Sequence, residues 1–479
     1  MPHNEYDYVA EESDDYKAMC HYWHKVNTIV EGIDAMRAAG EKYLPKFPNE
    51  SQKDYDYRKK IATMTNIYGD VVESLANKPF SEELNIIDNE NATPDILQLA
   101  ENVDGRGNHI HVFLADTFFH GINSAIDWIL VDYPVVNTEQ VRTVAQEKAM
   151  GIRPYWVQVR ATQVLDVQTE IISGIEQITY IRIREAEDHI REFIRSEVKT
   201  DKGLEWLVTW NTYHKNEKGE WWPDDSGVLT IDVIPMVPFY TGRRKGTSWQ
   251  FKPPLKDAAD LQVELWQKET ALKHARTLAC FPMLAANGIQ PDVKPDGTPK
   301  PVPVGPGAVL YAPPNDNGTS GAWATLSADA ASLQFLSADI KDTIQQIREL
   351  GKQPLTAQSG NVTRITAAFA ASKGNNSVQK WALSLKDAAE QALMITAKWL
   401  KLDIRPEVRV FTDFPVELDE DKTPDYVLTM RTNGDLSRRT VWTEMKRRGI
   451  LSSEFDAETE DTNMASEIPT DEFNETSGM

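Results

Sequence analysis

Few residue spacings in this chain could do chemistry. His21 and His24 lie three apart, His109 and His111 two apart, and His120 follows. The first pair could share one helical face and ligate a metal, but the spacing fixes no carboxylate partner, so an ordinary pair is expected. Carboxylates are so abundant, 73 in all, that some pair can always be nominated as general acid and base. The separation such chemistry needs is not a property of sequence. Trp206, Trp210, Trp221 and Trp222 could make a platform for a sugar ring, as in an acidic carbohydrate-active hydrolase. Aromatic residues are favoured in strands anyway, so sheet packing is the expected role. The Gly-x-x-x-x-Gly-Lys-Ser/Thr loop of phosphate-binding proteins is absent, as is the Gly-x-Ser-x-Gly elbow of serine hydrolases. No catalytic, cofactor-binding or metal-binding residue is expected.

Two basic clusters stand out, Gly242-Arg243-Arg244-Lys245-Gly246 and Arg438-Arg439 with Lys446-Arg447-Arg448. They could touch nucleic acid or an acidic neighbouring subunit. The formal charge of −22 opposes a protein that grips DNA by neutralising phosphates, though not one that lets DNA slide past. Acidity concentrates late: residues 452–479 hold nine Asp or Glu and no Lys or Arg, a composition expected to be disordered or solvated at its end. Cys20 and Cys280 flank no metal or redox motif and are expected as inert buried thiols. No apolar run reaches membrane-spanning length, and Met1-Pro2-His3-Asn4-Glu5 lacks the parts of a signal peptide, so a cytoplasm-like site of synthesis without membrane contact is expected.

The elements that must position anything functional are clearest from Pro253 to Leu400. Pro253-Pro254 opens a helix in which Ala258, Leu261, Leu265, Leu272, Ala275 and Ala279 recur at three-and-four spacing. Residues 281–324 then carry nine prolines interleaved with glycines, a loop-rich projection in which Gly307 to Tyr311 could be an edge strand. After Ser327 the pattern resumes through Leu333, Leu336, Ile340, Ile344, Ile347 and Leu350, with Gly351 as terminator. A polar break at residues 352–363 precedes a helix from Arg364 to Lys373. Gly374-Asn375-Asn376 should kink or interrupt the rod before Val378, Trp381, Leu385, Ala388, Ala392, Ile395 and Trp399 form a seam.

Upstream, helices are expected over Tyr16 to Ala39, behind a capping Ser51 with its stripe running to Leu75, and over His109 to Ile129. From Tyr155 to Pro238 the period changes to two, for example in Tyr180-Ile181-Arg182-Ile183-Arg184 and Val228-Leu229-Thr230-Ile231-Asp232-Val233. A mostly antiparallel sheet follows. Val408 to Phe411 is a further strand candidate, and Leu436-Ser437 opens a helix that Gly449 should stop. The class is α+β, and 479 residues allow about three domains.

Several stretches resemble a divergent family of tailed-phage portal proteins, one often described only as a domain of unknown function. They are Tyr55-x-x-Arg58 leading into Tyr68-Gly69-Asp70-Val71-Val72, Lys78-Pro79-Phe80, Arg153-Pro154-Tyr155-Trp156, Ile234 to Tyr240, Pro253-Pro254-Leu255-x-Asp257-x-Ala259-Asp260-Leu261, Val304-Gly305-Pro306-Gly307 and Arg447 to Leu451. The resemblance implies a non-enzymatic subunit of a twelve-subunit ring at a capsid vertex. The ring would pass double-stranded DNA without sequence specificity and dock terminase, a head-completion or tail adaptor, and the major capsid and scaffolding proteins. It implies no cofactor, and a place in the virion after synthesis in the host cytoplasm.

The resemblance also divides the chain: an N-terminal wing over residues 1–254 with its β subdomain at about 155–240, stem helices at 255–280 and 327–350, and a clip between them at 281–326. A tunnel loop would span 351–363, a wing spine helix and strand 364–429, and a crown with the acidic tail 430–479. Lys352, Gln353, Pro354, Thr356, Gln358 and Asn361 would face the channel, and Pro303, Gly305, Pro306 and Tyr311 would meet partners at the clip. Trp381, Leu385, Ile395, Trp399, Arg243 and Arg244 would form the subunit interface. Besides the hydrolase, another virion structural protein such as a tail adaptor is the alternative. It would be favoured if the two stem candidates did not pair antiparallel.

Overall fold

Ser13 starts the first helix by accepting a hydrogen bond from the Tyr16 N–H at 3.2 Å, which satisfies one of the donors a helix start leaves open. A computed structural model describes residues 5–87, 89–134, 151–200, 203–280, 283–287, 293–298, 321–326, 330–351, 364–412, 414, 423–447, 451 and 455–467. Its helices are α1 (Asp14–Glu31), α2 (Ile33–Ala39), α3 (Gln52–Ile61), α4 (Ile67–Ala76), α5 (Pro94–Glu101), α6 (Ile110–Ser124), α7 (Lys256–Cys280), α8 (Ala330–Leu350), α9 (Arg364–Trp399), α10 (Thr423–Thr432), α11 (Arg438–Arg447) and α12 (Ala457–Glu467). Its strands are β1 (Asn85–Ile86), β2 (Ile126–Asp132), β3 (Tyr155–Val159), β4 (Val164–Ile172), β5 (Ile175–Ala186), β6 (His189–Thr200), β7 (Gly203–Lys215), β8 (Trp221–Val228), β9 (Met236–Tyr240), β10 (Arg243–Arg244), β11 (Phe251–Lys252), β12 (Met283–Asn287), β13 (Ala322–Leu326) and β14 (Val408–Arg409).

The architecture is α+β with antiparallel sheets. The strands β4 to β8 pair in sequence order as a five-stranded meander, and β3-β2-β9 make a separate three-stranded sheet. The smaller sheet is the centre of the core. Trp128, Ile129, Leu130 and Val131 of β2 are all buried, as a strand covered on both faces requires. On it lie α6, through Phe118 stacked on Phe239 with ring centroids 5.6 Å apart, and α9. Trp156 Nε1 donates to Thr396 Oγ1 at 3.0 Å, and Trp399 Nε1 donates to the Val131 carbonyl at 3.0 Å.

Several expected elements are divided or shortened. The helix expected over Tyr16 to Ala39 breaks at Gly32, whose φ of 93° is closed to most side chains. The one expected behind Ser51 is two helices, because residues 62–66 leave the axis and Asn66 caps α4 through Gly69 N at 2.9 Å. The helix expected to reach Ile129 ends at Ser124, followed by Ala125 in the left-handed region. Ile126 and Ile129 belong to β2. Leu229 to Val233 are not a strand, since β8 ends at Val228.

Conversely, α9 runs unbroken through Gly374-Asn375-Asn376. Asn375 directs its polar atoms away from the helix backbone: Oδ1 accepts from Lys78 Nζ at 2.7 Å and Nδ2 donates to the Phe414 carbonyl at 3.1 Å. A side chain so occupied does not compete for the helix's own hydrogen bonds.

Asp127, the second residue of β2, is fully buried. Burial pushes its carboxyl pKa well up, and the 2.5 Å hydrogen bond from Gln158 Nε2 offsets only part of that rise. The folded state therefore holds this proton more tightly than the unfolded chain does. Its contribution is complete below the unfolded value of about 4 and is lost as pH rises through the folded one. Asp127→Asn is expected to raise the melting temperature at pH 7 and flatten the decline in stability from pH 4 upward. An unchanged pH slope would contradict the assignment.

Candidate functional site

The feature that leaves the body of the protein is a helical hairpin, α7 and α8. Its near end is tied to α4 by polar groups as much as by packing. The break between α3 and α4 exposes the donors of a helix start, and α7 supplies their acceptors. Gln262 Oε1 accepts from Tyr68 N at 2.9 Å while its Nε2 donates to the Thr65 carbonyl at 2.9 Å. Glu269 accepts from Thr65 N at 2.8 Å and from Thr65 Oγ1 at 2.6 Å. Around them Leu255, Ala258, Ala259, Leu265 and Trp266 are buried.

Helix α8 returns to the same place. Arg348 Nη1 lies 3.2 Å from Asp70 Oδ2, and Gly351 abuts Val71 so closely that a Cβ there would sit 2.5 Å from Val71 Cγ1. The start of α7 and the end of α8 thus both meet α4, so the two helices run antiparallel. Midway, Lys268 Nζ joins them, 2.9 Å from Asp339 Oδ2 and 2.8 Å from Glu264 Oε1, and it donates to Thr343 Oγ1 at 2.9 Å. At the far end β12 and β13 continue the two rods as an antiparallel ribbon from Met283↔Leu326 to Asn287↔Ala322. Twenty-five and 21 residues at 1.5 Å each give rods of roughly 38 and 32 Å.

The hairpin does not bury all it carries. Leu333, Leu336, Ile340, Ile344 and Ile347 pack inward, but Phe335 is 75% exposed with Ala331 and Ala338 exposed on the same outer face. Phe335 lies off the inward stripe, and its only signal in the sequence is a large aromatic among polar positions.

The other expected site residues divide into three groups. Lys352, Gln353, Pro354, Thr356, Gln358 and Asn361 lie outside the described residues, as do Pro303, Gly305, Pro306 and Tyr311. Trp381 and Leu385 are buried in the chain's own core at 4% and 0% exposure. Ile395 and Trp399 are half-buried against the body, with Trp399 stacked on Tyr133 at 5.2 Å. Arg243 is exposed, whereas Arg244 donates twice to the Glu176 carboxylate, at 2.8 Å each, and stands over Trp249 at 4.4 Å. That ion pair holds the Glu176 carboxyl below its ordinary pKa.

The hydrolase alternative required carboxylates converging in a tryptophan-lined cleft. A cavity lined by Trp23, Trp128, Trp249, Asp15 and Asp166 exists, but at about 30 Å³ it holds water rather than a sugar ring, since ligand pockets run to hundreds of Å³. Both Asp15 oxygens are already taken, by Trp249 N at 2.6 Å and Gln250 Nε2 at 2.9 Å. Trp206 lies under the Arg195 guanidinium at 4.6 Å and Trp221 is buried, both within the five-stranded sheet. His21 and His24 are exposed, and His109 caps α6 by accepting from His111 N at 3.1 Å. Among the described residues no three His, Cys, Asp or Glu are placed to hold a metal ion. None of the described helices is long and apolar enough to cross a membrane.

Residues 254–400 match the family described as a domain of unknown function, DUF4055. The matched stretch opens at α7 and closes just past α9, so it takes in the hairpin and the long helix. No curated protein matches the chain. Among solved structures, one from the neck of a native gene transfer agent particle, computed with C12 symmetry, is similar at 12% identity and a TM-score of 0.38, over 79% of this chain and 89% of its own. Another, from the virion of a native gene transfer agent particle, has 10% identity and a TM-score of 0.37 over 89% and 97%.

Two outcomes test this geometry. Gly351→Ala is expected to cost about 1–3 kcal/mol by overpacking against Val71, measured by urea unfolding; a neutral result would detach α8 from α4. Trp381→Asp, which buries an unpaired charge, is expected to abolish the cooperative unfolding transition itself. A folded variant deficient only in assembly would restore Trp381 to an interface.

Proposed function

We propose that this chain is a non-enzymatic subunit of the portal ring at a phage capsid vertex, through which double-stranded DNA is packaged and ejected. The observation that carries the reading is the hairpin: two long antiparallel helices, rooted in an α+β body, extended by a β-ribbon and bearing an exposed Phe335 on the outer face of α8. Among the described residues nothing covers that face, and a closed ring of identical subunits covers it by heterologous contact with the next copy. The α7 and α8 rods are then the stem, and the ribbon with its intervening residues is the clip, where terminase and later a head-completion or tail adaptor dock. Residues 352–363, which leave α8 just beyond Gly351, are the loop that meets DNA, and α9 is the spine of the wing. The net charge of −22 suits a wall past which phosphates move without sticking. The ring has twelve members by the sequence resemblance, and its place is the virion.

The antiparallel pairing of α7 and α8 favours this reading over a tail adaptor, whose case rested on their not pairing. Native mass spectrometry tests it through Phe335→Asp. The wild-type chain is expected to give closed rings, and the variant to stay monomeric while melting within about 2 °C of wild type, because an exposed position contributes little to the fold. Rings of unaltered mass and yield from the variant would remove α8 from the interface.

A further inference from the structure

The second basic cluster has a partner within its own chain. Helices α10 and α11 form a small unit with its own core of Val427, Val441 and Met445, against which Leu436 and Leu451 pack. Across it, the acidic segment folds back on the basic helix. Arg438 Nη1 lies 3.3 Å from Asp461 Oδ1, and Arg439 lies 3.8 Å from Glu458 Oε1 and 3.5 Å from Asp461 Oδ2. Lys446 Nζ donates to the Phe455 carbonyl at 2.9 Å, while Phe455 meets Trp442 edge-on at 5.5 Å. Every cation of α11 whose side chain is described is thus engaged by residues 455–461.

We propose that the basic face of α11 is a docking surface for the phosphate backbone of duplex DNA, and that α12 occupies it as an intramolecular competitor. The charges support an exchange of this kind. Residues 452–479 carry nine acids and no base, while α11 carries Arg438, Arg439, Lys446 and Arg447 against a single Glu444, a concentration of positive charge unusual in a chain of −22. The ion pairs are exposed on both sides, at 45% and 39% for Arg438 and Asp461, so they hold weakly and are screened by salt. A row of phosphates offers Arg438 and Arg439 the same charge-assisted hydrogen bonds that Asp461 and Glu458 now make. With α12 in place, the surface presents carboxylates and repels DNA. With α12 displaced, it presents Arg438 and Arg439. This inference concerns one chain and stands apart from the ring reading.

The test is fluorescence anisotropy of a labelled random-sequence duplex, titrated with the full chain over a range of salt. Glu458→Gln with Asp461→Asn keeps the helix and removes the competing charge. It is expected to bind the duplex at least threefold more tightly at low salt, and a chain ending at Leu451 at least tenfold. The log-log salt slope should steepen by about 2, near 0.9 for each phosphate neutralised. Adding Arg438→Glu and Arg439→Glu to the first variant should return it to the wild-type isotherm. The proposal is overturned if neither variant gains affinity, if the gain survives loss of both arginines, or if it appears toward a polyglutamate peptide and not toward DNA.

Discussion

The hairpin depends on how α7 completes a helix that is not its own. The chain bends between Ile61 and Ile67, leaving the N–H groups of Thr65 and Tyr68 without partners in α3 or α4, and Glu269 and Gln262 of α7 accept from them. The Tyr68 N–H is buried, and a buried donor costs about 1–3 kcal/mol when left unpaired. The α3–α4 break and the docking of α7 therefore require one another. Because Gln262 also donates to the Thr65 carbonyl, the rod is fixed in position along its axis as well as in contact. The outer part of α7 projects from that anchor.

That arrangement divides the hairpin into two regimes. Near α4 it behaves as protein core, with Trp266 and Ile347 fully buried and Gly351 allowing backbone to meet Val71. Farther out, among the described residues, the helices pack on each other, and the seam is held by the Lys268 cluster and an aliphatic stripe while Phe335 faces outward. The long helix α9 serves the opposite end. Its small residues Ala382, Ala388, Ala389 and Ala392, all buried, let it lie close on the three-stranded sheet, and Thr396 and Trp399 bond it there. Hairpin and sheet are thereby joined through one body.

Much of this was legible in the sequence. The three-and-four spacing from Ala258 to Leu272 and from Leu333 to Ile347 gave both rods, and the alternation around Tyr180 to Arg184 gave antiparallel strands. The errors have physical causes. Periodicity carried straight across residues 62–66 because Met64 and Tyr68 happen to keep the phase, while the break is set by acceptors some 200 positions away in α7. Gly374-Asn375-Asn376 has the local composition of a helix break, yet Lys78 and Phe414 engage Asn375 and the helix continues. Trp381 and Leu385 were correctly seen as a seam, but apolar spacing does not say whether the opposing surface is the same chain or another.

The central claim is that α7 and α8 line a channel built from copies of this chain. Electron cryomicroscopy of the assembled protein tests it most directly. The account predicts a closed ring whose central hole admits duplex DNA, with the α7–α8 hairpins side by side around that hole and Phe335 covered by the adjacent copy. A ring in which the hairpins point outward, or an assembly that leaves Phe335 in solvent, would contradict it.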